Sequence, residues 1–462
     1  MTTPIKMSGY RPSSVKLNAV INSHAHILNG AANDYDPLLD LVGDARVVLL
    51  GEATHGTREF YRERARITQR LITEKDFTAV AVEADWPDAY RVNRYVRNFN
   101  ISGTPNDENA KQALDGFKRF PSWMWRNADV AEFVEWLREY NDRAKGSTPK
   151  AGFYGLDLYS LFSSIEEVLR CLSKIDPAAA QRARERYACF DHFNKDGLLY
   201  GHMTSVGTSK SCEQYVISQL SDLYTQAANK QKIVGQKAGE AWFYTQQNAR
   251  LIVHAEEYYR TMFKGQISSW NLRDQHMAET LDNLMAHLTQ ANNMPAKIVV
   301  WAHNSHIGDA RASEFGLQGK WNLGQLARTM YGAEALLIGL TTGHGTVTAA
   351  SNWDAFPEVK SVGLALQDSY EAVLHDSGIP SFMLSFREKN SLRQVLSSHR
   401  LTRVIGVIYR PETERQSHYM YSLLPQQFDA ILHFDETRAV EPLDPANHLV
   451  GEEVPNTFPG GF

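Results

Sequence analysis

The chain has 462 residues, enough to bury a large core and, at about 150 residues per domain, to form up to about three domains. Hydrophobic residues make up 43% of the chain and charged residues 22%, which is typical of a globular protein. The net charge of −5 and the lack of a concentrated basic stretch disfavour nucleic-acid binding as the main activity.

The N-terminal residues, the apolar runs and the cysteines together indicate the compartment in which the protein is expected. Residues 1–18 lack the apolar core of a signal peptide, and no run of about 18 apolar residues is available to span a membrane. The three cysteines, Cys171, Cys189 and Cys212, are widely spaced and form neither a disulfide framework nor a zinc signature. We expect unpaired thiols in a reducing compartment, and hence a cytoplasmic protein without a membrane partner.

The first predicted element is a strand over residues 45–51, a short run of apolar and β-branched residues that ends in glycine. A helical pattern over residues 57–72 and a second apolar run over residues 77–83 follow it. Together they predict a βαβ unit, which implies parallel strands and a right-handed crossover. Asp85 is predicted to cap the next helix, with Pro87 in its first turn.

Later runs of the same kind predict six further strands, over residues 151–156, 297–301, 335–339, 381–384, 404–408 and 428–432. Between Asp157 and Pro295, glycine and proline become rare and long amphipathic patterns appear, so we predict an inserted helical subdomain there. The predicted fold is α/β, with a mostly parallel central sheet, flanking helices and a large inserted helical lid subdomain. Its parts are a first core segment at 1–157, the insertion at 158–295 and a second core segment at 296–462.

Polar side chains follow four of the predicted strands. In open α/β sheets, ligands bind outside the carboxyl ends of the strands, so functional residues are expected there. One polar residue at a strand end is unremarkable, but four such ends indicate convergence on one cleft. The residues are Glu52 and His55 after the first strand, Glu83 after the second, Asp157 after the third, and His303 and His306 after the fourth.

The helix after His55 carries a basic residue on its apolar side. At 100° per residue, Arg64 falls in the middle of the apolar arc, between Phe60 and Leu71. A buried guanidinium is costly unless it is paired, and Glu52 or Glu83 is the expected partner. The sequence therefore predicts a positive charge beside the acidic strand ends.

Motifs for nucleophilic catalysis are missing from the chain, including the Gly-x-Ser-x-Gly elbow, so a covalent serine mechanism is unsupported. The residues at the strand ends can instead activate water. His55 can take a proton while a carboxylate orients its other nitrogen, and Arg64 or a second histidine can stabilise the oxyanion. Histidines and carboxylates also bind Zn or Mn, although the spacings match no standard metal signature. The residues alone leave metal-free and metal-dependent hydrolysis open.

Six motifs follow one another along the chain. They are residues 51–56, the strand end at Glu83, residues 120–127, residues 155–157, residues 269–274 with Met277, and residues 301–306. Together they resemble the erythromycin esterase family, which includes succinoglycan biosynthesis-like proteins. The similarity extends from about residue 20 to about residue 440.

The resemblance implies a reaction and an active site. It implies hydrolysis of a carboxylic ester or macrolactone by water, with no metal or other cofactor, and hence a small-molecule ester or macrolactone as the partner. By matching positions, His55 would be the general base, supported by Glu52 and Glu83, with Arg64 and His303 in the same active site. The alternatives are a metal-dependent hydrolase that uses the same cluster and a non-catalytic small-molecule or glycan-binding protein.

Further residues are candidates for substrate binding. They are His306, Asp157, Trp123, Trp125 and His344. The two tryptophans lie close together outside a clear strand, which is compatible with a broad apolar site, although aromatic residues more often pack in a core. Arg273 with Asp274 is expected either to steady the catalytic histidines or to form an ion pair at a helix terminus, and we favour the ion pair.

Overall fold

The computed structural model describes residues 14–99, 106–145, 148–230 and 236–444. The strands are β1 (His26–Ile27), β2 (Val47–Leu50), β3 (Ala79–Asp85), β4 (Gly152–Asp157), β5 (Ile298–Trp301), β6 (Ala335–Ala349), β7 (Glu358–Val362), β8 (Ser381–Ser385), β9 (Arg400–Arg403), β10 (Tyr419–Ser422) and β11 (Ala430–Thr437). The helices are α1 (Ser14–His24), α2 (Asp36–Val42), α3 (Arg58–Glu74), α4 (Trp86–Arg97), α5 (Ala110–Ala113), α6 (Ala128–Arg143), α7 (Leu161–Ile175), α8 (Pro177–Tyr187), α9 (Gly197–Ser205), α10 (Glu213–Lys230), α11 (Gln236–Thr261), α12 (Gln266–Asn292), α13 (Asn304–Ile307), α14 (Glu314–Leu317), α15 (Leu323–Tyr331), α16 (Tyr370–His375), α17 (Ser391–Val395), α18 (Glu414–Ser417) and α19 (Leu424–Gln427). Within the described ranges, no helix is both long enough and apolar enough to span a membrane.

The chain divides into two compact units. The first unit comprises residues 14–75 and 299–442, and the second comprises residues 76–298 and 443–444. The chain therefore passes into the second unit after α3, whereas the sequence analysis placed the start of the insertion after residue 157. The predicted α/β class is confirmed, because flanking helices accompany a mostly parallel sheet.

The sheet of the first unit has the strand order β1-β8-β11-β6-β2-β5. Strands β2 and β11 both run parallel to β6, whereas β8 is antiparallel to β11 and β1 is antiparallel to β8. β6 is three times as long as the sequence indicated, and its last third pairs with β7 in an antiparallel ladder. β7 itself was not predicted because its sequence is polar, and four of its five residues are at least partly exposed.

β2 and α3 carry the turn on which the candidate site is built. All four residues of β2 are fully buried aliphatic side chains, as expected for a central parallel strand. α3 begins at Arg58 and is amphipathic, with Phe60, Ile67 and Leu71 fully buried. The strand–turn–helix sequence therefore places the turn at the carboxyl end of β2.

The strand predicted over residues 404–408 is wrong. β9 ends at Arg403, and beyond it Ile405 and Ile408 make single bridges to Thr54 and Ala350. The Ile405 backbone N–H donates to the carbonyl of Ala53 at 2.8 Å. This apolar segment contacts successive elements, one residue at a time, instead of running along one neighbouring strand.

In the second unit, β3 and β4 form a parallel pair with an irregularity between Val82 and Asp85. The helix predicted after Asp85 is confirmed as α4, with Pro87 in its first turn. The Asp85 side chain makes no capping hydrogen bond; it accepts instead from the guanidinium of Arg119 at 2.8 Å. An arginine absent from the local sequence pattern therefore replaces the predicted cap interaction.

The prediction that all three cysteines are unpaired is wrong. Cys189 and Cys212 form a disulfide with their Cα atoms 6.0 Å apart, and only Cys171 remains a buried free thiol. The paired cysteines are 23 positions apart in the chain. Only the folding of the intervening segment brings their Cα atoms within disulfide distance, so spacing in the sequence could not show the pairing.

Candidate active site

The turn after β2 begins at Gly51 and ends at Gly56, and neighbouring atoms leave no room for a side chain at either position. A Cβ atom at Gly51 would lie 2.0 Å from Oδ1 of Asn304, and one at Gly56 would lie 1.9 Å from the backbone oxygen of Thr348. Asn304 is held in that position because its Nδ2 donates to the carbonyl of Leu340 at 2.8 Å. The glycines of the motif therefore let α13 and β6 approach the turn closely.

The turn itself is fixed by further hydrogen bonds. The Asn304 N–H donates to the carbonyl of Glu52 at 2.8 Å, and the Tyr61 hydroxyl donates to the carbonyl of His55 at 2.8 Å. The backbone N–H groups of Thr348 and Val440 both donate to the carbonyl of Gly56. Glu52 and His55 are therefore presented on a backbone held by several elements of the first unit.

The Glu52 carboxylate contacts two predicted partners at once. Its Oε1 lies 3.0 Å from Nδ1 of His55, and its Oε2 lies 2.7 Å from Nη2 of Arg64. All three side chains are buried, with at most 3% of each exposed. The predicted pairing of Arg64 with a carboxylate is confirmed, and Glu52 is that carboxylate.

Arg64 lies in an aromatic setting on the inner face of α3. Its guanidinium carbon is 4.5 Å from the ring centre of Tyr61 and 5.1 Å from that of Trp301. The contact with Glu52 has ion-pair distance but is not aligned as a hydrogen bond, and no acceptor among the described residues is aligned with Nε or Nη1. Because Arg64 is fully buried, it acts on Glu52 and not on solvent.

His303 lies beside His55 and is held in a defined orientation. It is the N-cap residue of α13, and its Nδ1 accepts the backbone N–H of Ser305 at 3.3 Å and lies 2.8 Å from the Ser305 hydroxyl. The ring centres of His55 and His303 are 4.7 Å apart. His303 thus caps the start of α13 with its own ring, which lies beside the ring of His55.

The two rings differ in which nitrogen carries the proton. In neutral His55, the carboxylate of Glu52 requires a proton on Nδ1, which leaves a lone pair on Nε2. In neutral His303, the N–H of Ser305 requires a lone pair on Nδ1, which places the proton on Nε2. One ring is thereby set to accept a proton and its neighbour to donate one.

Glu83 and Asp157 lie in the second unit, where both contact Arg273. Asp157 binds the guanidinium through both oxygens, at 3.0 Å to Nε and 2.7 Å to Nη2, and Glu83 lies 2.7 Å from Nη2. Burial works to lower the pKa of Arg273, but the charges of Asp157 and Glu83 outweigh it and the pKa lies well above its usual value. Arg273 therefore stays charged and holds the ends of β3 and β4 together.

Arg273 does not lie at the helix terminus that the sequence indicated. It lies inside α12 and pairs with Glu83 and Asp157. A role in steadying the catalytic histidines stays a prediction. A second arginine, Arg119, pairs with Asp85, whose pKa is raised by burial against the opposing charge of Arg119. The sequence did contain a sign of this arrangement, because the carboxylates of Glu83 and Asp157 at the strand ends each needed a cation. Their partner, Arg273, lies far away in the chain.

The two tryptophans predicted to line an apolar site are buried in the second unit. Trp123 packs edge-to-face against Phe120, with ring centres 5.3 Å apart. The Trp125 indole N–H donates to the backbone carbonyl of Glu83 at 3.2 Å. Trp125 thus supports the end of β3, and the role of both rings in substrate binding stays a prediction.

The remaining predicted residues lie in the first unit. His306 is fully buried in α13. His344 is on β6, where it is grouped with His375 and Asp435. Their roles in substrate binding, and the convergence of all four strand ends on one cleft, stay predictions.

The comparisons with known proteins agree with the sequence motifs. The erythromycin esterase family model matches residues 72–437. Among curated proteins, erythromycin esterase type II of Escherichia coli is 23% identical over 432 residues, covering 88% of this chain and 94% of its own length. A putative hydrolase of Bacillus subtilis, YbfO, is 21% identical over 300 residues, covering 62% of each chain.

Solved structures show the same fold. A Bacillus cereus protein superposes with a TM-score of 0.73 at 20% identity, covering 93% of this chain and 99% of its own. A mutant erythromycin esterase in its open conformation superposes with a TM-score of 0.65 at 18% identity, covering 90% and 96%. Since the family model spans most of the chain, the protein belongs to the erythromycin esterase family, a family of hydrolases.

Proposed function

We propose that this protein hydrolyses a carboxylic ester or macrolactone by general-base activation of water, with His55 as the base. The observation that carries the proposal is the adjacent pair of histidines held in opposite tautomers, 4.7 Å apart. Ester hydrolysis by water needs one group that takes a proton and one that donates a hydrogen bond or a proton. The pair supplies both at neutral charge.

In the proposed reaction, Nε2 of His55 removes a proton from water as its oxygen attacks the ester carbonyl. Glu52 then faces an imidazolium at Nδ1, and its negative charge stabilises that cation. The Nε2–H of His303 donates to the oxyanion. Collapse of the intermediate breaks the bond to the alkoxide, which takes the proton from His55, so one water is consumed and a carboxylic acid and an alcohol are formed.

Arg64 has a positioning role in this scheme. Its full burial and its contact with Glu52 fit a residue that orients the carboxylate, and not one that touches the substrate. The oxyanion role considered for Arg64 from the sequence therefore passes to His303. Glu83 lies in the second unit, and its participation in the same reaction is part of the proposal.

The substrate class rests on the relatives. The curated relative from Escherichia coli is named an erythromycin esterase, which supports a large lactone as the substrate of this chain. The rival reaction is hydrolysis at a metal ion held by the same cluster, since a carboxylate-bound imidazole also occurs in metal sites. Simple binding of a small molecule or glycan is the non-catalytic alternative.

The test incubates the full chain with a panel of macrolides and simple carboxylic esters, and mass spectrometry detects the addition of one water. Expected is hydrolysis of at least one ester, equal before and after treatment with a strong chelator, and abolished in His55→Ala. Activity lost on chelation and restored by metal would favour the metal-dependent rival. A full panel without any gain of water would overturn the proposal.

A further inference from the structure

A second group of histidines lies in the first unit, on β6, α16 and β11. His344, His375 and Asp435 each offer one ligand atom, and these three atoms all lie within 4.8 Å of one another. Imidazole nitrogens with one carboxylate oxygen form a donor set that suits zinc and the neighbouring first-row transition metals. The three residues come from separate elements, so the fold itself brings the donors together.

The carboxylate of the group is held from two sides. Nδ1 of His375 lies 2.7 Å from Oδ1 of Asp435, and Nε2 of His433 lies 3.6 Å from the same oxygen. The other nitrogen of His433, Nδ1, bonds to the Thr341 hydroxyl at 3.0 Å. His433 is therefore oriented toward Asp435, in the manner of the outer residues that orient metal ligands.

His344 has a ring nitrogen that the protein leaves unused. Its Nδ1 is buried, and within the described part of the chain it has no hydrogen-bond partner. Its ring stands edge-on to that of His375, with centres 5.8 Å apart. A buried polar atom without a partner is costly, and such atoms in folded proteins call for a specific explanation, such as a bound ion.

The glycines on both sides of His344 are required by the same packing. A Cβ atom at Gly343 would lie 2.4 Å from Oδ1 of Asp435, and one at Gly345 would lie 1.9 Å from the carbonyl oxygen of Thr437. Gly345 also has a φ of 136°, which other residues rarely adopt. The Gly-His-Gly sequence thus lets β11 bring the Asp435 carboxylate up to the backbone beside His344.

The group is distinct from the catalytic histidines. Among the described residues, the donor atoms that lie within 4.8 Å of one another here are those of His344, His375 and Asp435, and no atom of Glu52, His55 or His303 belongs to the group. An ion bound here is therefore held by other ligands than those of a metal-dependent reaction at His55.

We propose that His344, His375 and Asp435 bind one divalent transition metal ion of the zinc class. The ion takes the place of the proton between His375 and Asp435, and that proton leaves to solvent. Binding ties β6, α16 and β11 together and stabilises the first unit by mass action, because the ligands come together only in the folded chain.

The test uses the full chain after chelator treatment and titrates it with Co²⁺, whose visible absorption reports coordination by protein ligands. Expected is one Co²⁺ per chain, displaced by Zn²⁺. Removal of an outer-shell partner alone typically costs about 10–100-fold in affinity, so His375→Ala and Asp435→Asn should weaken binding by more than about 100-fold. His192→Ala, at an exposed histidine of the second unit, and His55→Ala should bind as the unaltered chain does.

Two results would overturn the metal site. One is Co²⁺ absorption that persists in both ligand variants, and the other is absorption that disappears in His55→Ala. Thermal unfolding gives an independent readout: Zn²⁺ should raise the midpoint of the unaltered chain and of His55→Ala, but not of His375→Ala. Ester turnover is not used in either measurement, so failure here is distinguishable from failure of the proposed hydrolysis.

Discussion

In the first unit, one carboxylate, Glu52, contacts both an arginine and an imidazole, whereas in the second unit one arginine, Arg273, contacts two carboxylates. Both groups follow buried parallel strands, and their carboxylates are buried, whereas the Arg273 side chain is 12% exposed. Glu52 contacts Arg64 through one oxygen and His55 through the other, which leaves Nε2 of His55 available for proton transfer. Around Arg273 the neighbouring charges favour the protonated guanidinium, and its raised pKa keeps it from exchanging a proton.

Because both clusters contain buried carboxylates paired with arginine, such an ion pair is not by itself a sign of catalysis. Buried pairs of either kind fix geometry, and their removal costs stability. What makes the first cluster suited to catalysis is an imidazole that the pair orients and that keeps one ring nitrogen for proton transfer. Substitution of the imidazole should therefore change mainly turnover, whereas substitution of either arginine should lower stability.

The largest effect is expected from His55→Ala. Loss of the general base should lower kcat/KM by about 10²–10⁴-fold, while the Glu52–Arg64 pair remains and the unfolding midpoint changes little. Steady-state kinetics and thermal unfolding of the same preparation measure the two quantities. His192→Ala, at an exposed histidine, is the matched control and should leave both unchanged. Unaltered turnover in His55→Ala would remove the distinction between the two clusters.

Breaking the ion pairs should affect stability in both units. Arg64→Met leaves the Glu52 charge buried and should lower the free energy of unfolding by about 3–5 kcal/mol, and Arg273→Met should cost at least as much because two carboxylates lose their cation. Chemical unfolding measures both. Arg143→Met removes an exposed pair with Glu139 and should cost less than about 1 kcal/mol. Equal values for all three would show that burial does not set the cost.

The glycines of the catalytic turn should differ from each other. Gly56→Ala places a Cβ against the Thr348 backbone, which cannot move aside, and should destabilise by about 1–3 kcal/mol or more. Gly51→Ala meets the end of the Asn304 side chain, which can rotate, so we expect a smaller loss of stability. Gly239→Ala, in a helix with open space around it, should be neutral or stabilising. A Gly51 variant less stable than the Gly56 variant would contradict this order.

The smallest effect concerns acid stability of the second unit. His254 and His276 face each other there, with their Nδ1 atoms 2.8 Å apart. Burial, aided by Arg250, lowers the pKa of His254 to about 4, and burial lowers that of His276 well below its usual value. Below about pH 6.5 the unfolded chain therefore binds protons that the folded chain does not, so stability falls as the pH is lowered, and His254 alone accounts for about 2 kcal/mol of that loss at about pH 5.

Unfolding midpoints measured across this pH range test that effect. His254→Gln should flatten the decline between about pH 6.5 and about pH 4, because it removes one group whose pKa differs between the folded and unfolded chain. His192→Gln, at an exposed position, should leave the slope as it is. A slope unchanged by His254→Gln would assign the acid sensitivity to other groups.

Much of the candidate site was predictable from local sequence. The aliphatic run before Gly51 predicted β2, the apolar arc of the following helix predicted that Arg64 is buried, and the cost of a buried charge predicted its carboxylate partner. These inferences succeeded because each depends on periodicity or on a partner that lies within a few turns of the chain. The α/β class followed for the same reason, since alternating strands and helices imply a parallel sheet.

Other features were decided by tertiary structure. The partners of Glu83 and Asp157 come from α12, more than a hundred residues away, and the Cys189–Cys212 pair and the His344–His375–Asp435 group likewise join segments that are distant in the chain. Local sequence determines which side chains must be buried or paired, because burial and charge have a cost at every position. Which distant side chain becomes the partner depends on how the elements pack against one another. The sequence of either segment alone does not contain that information.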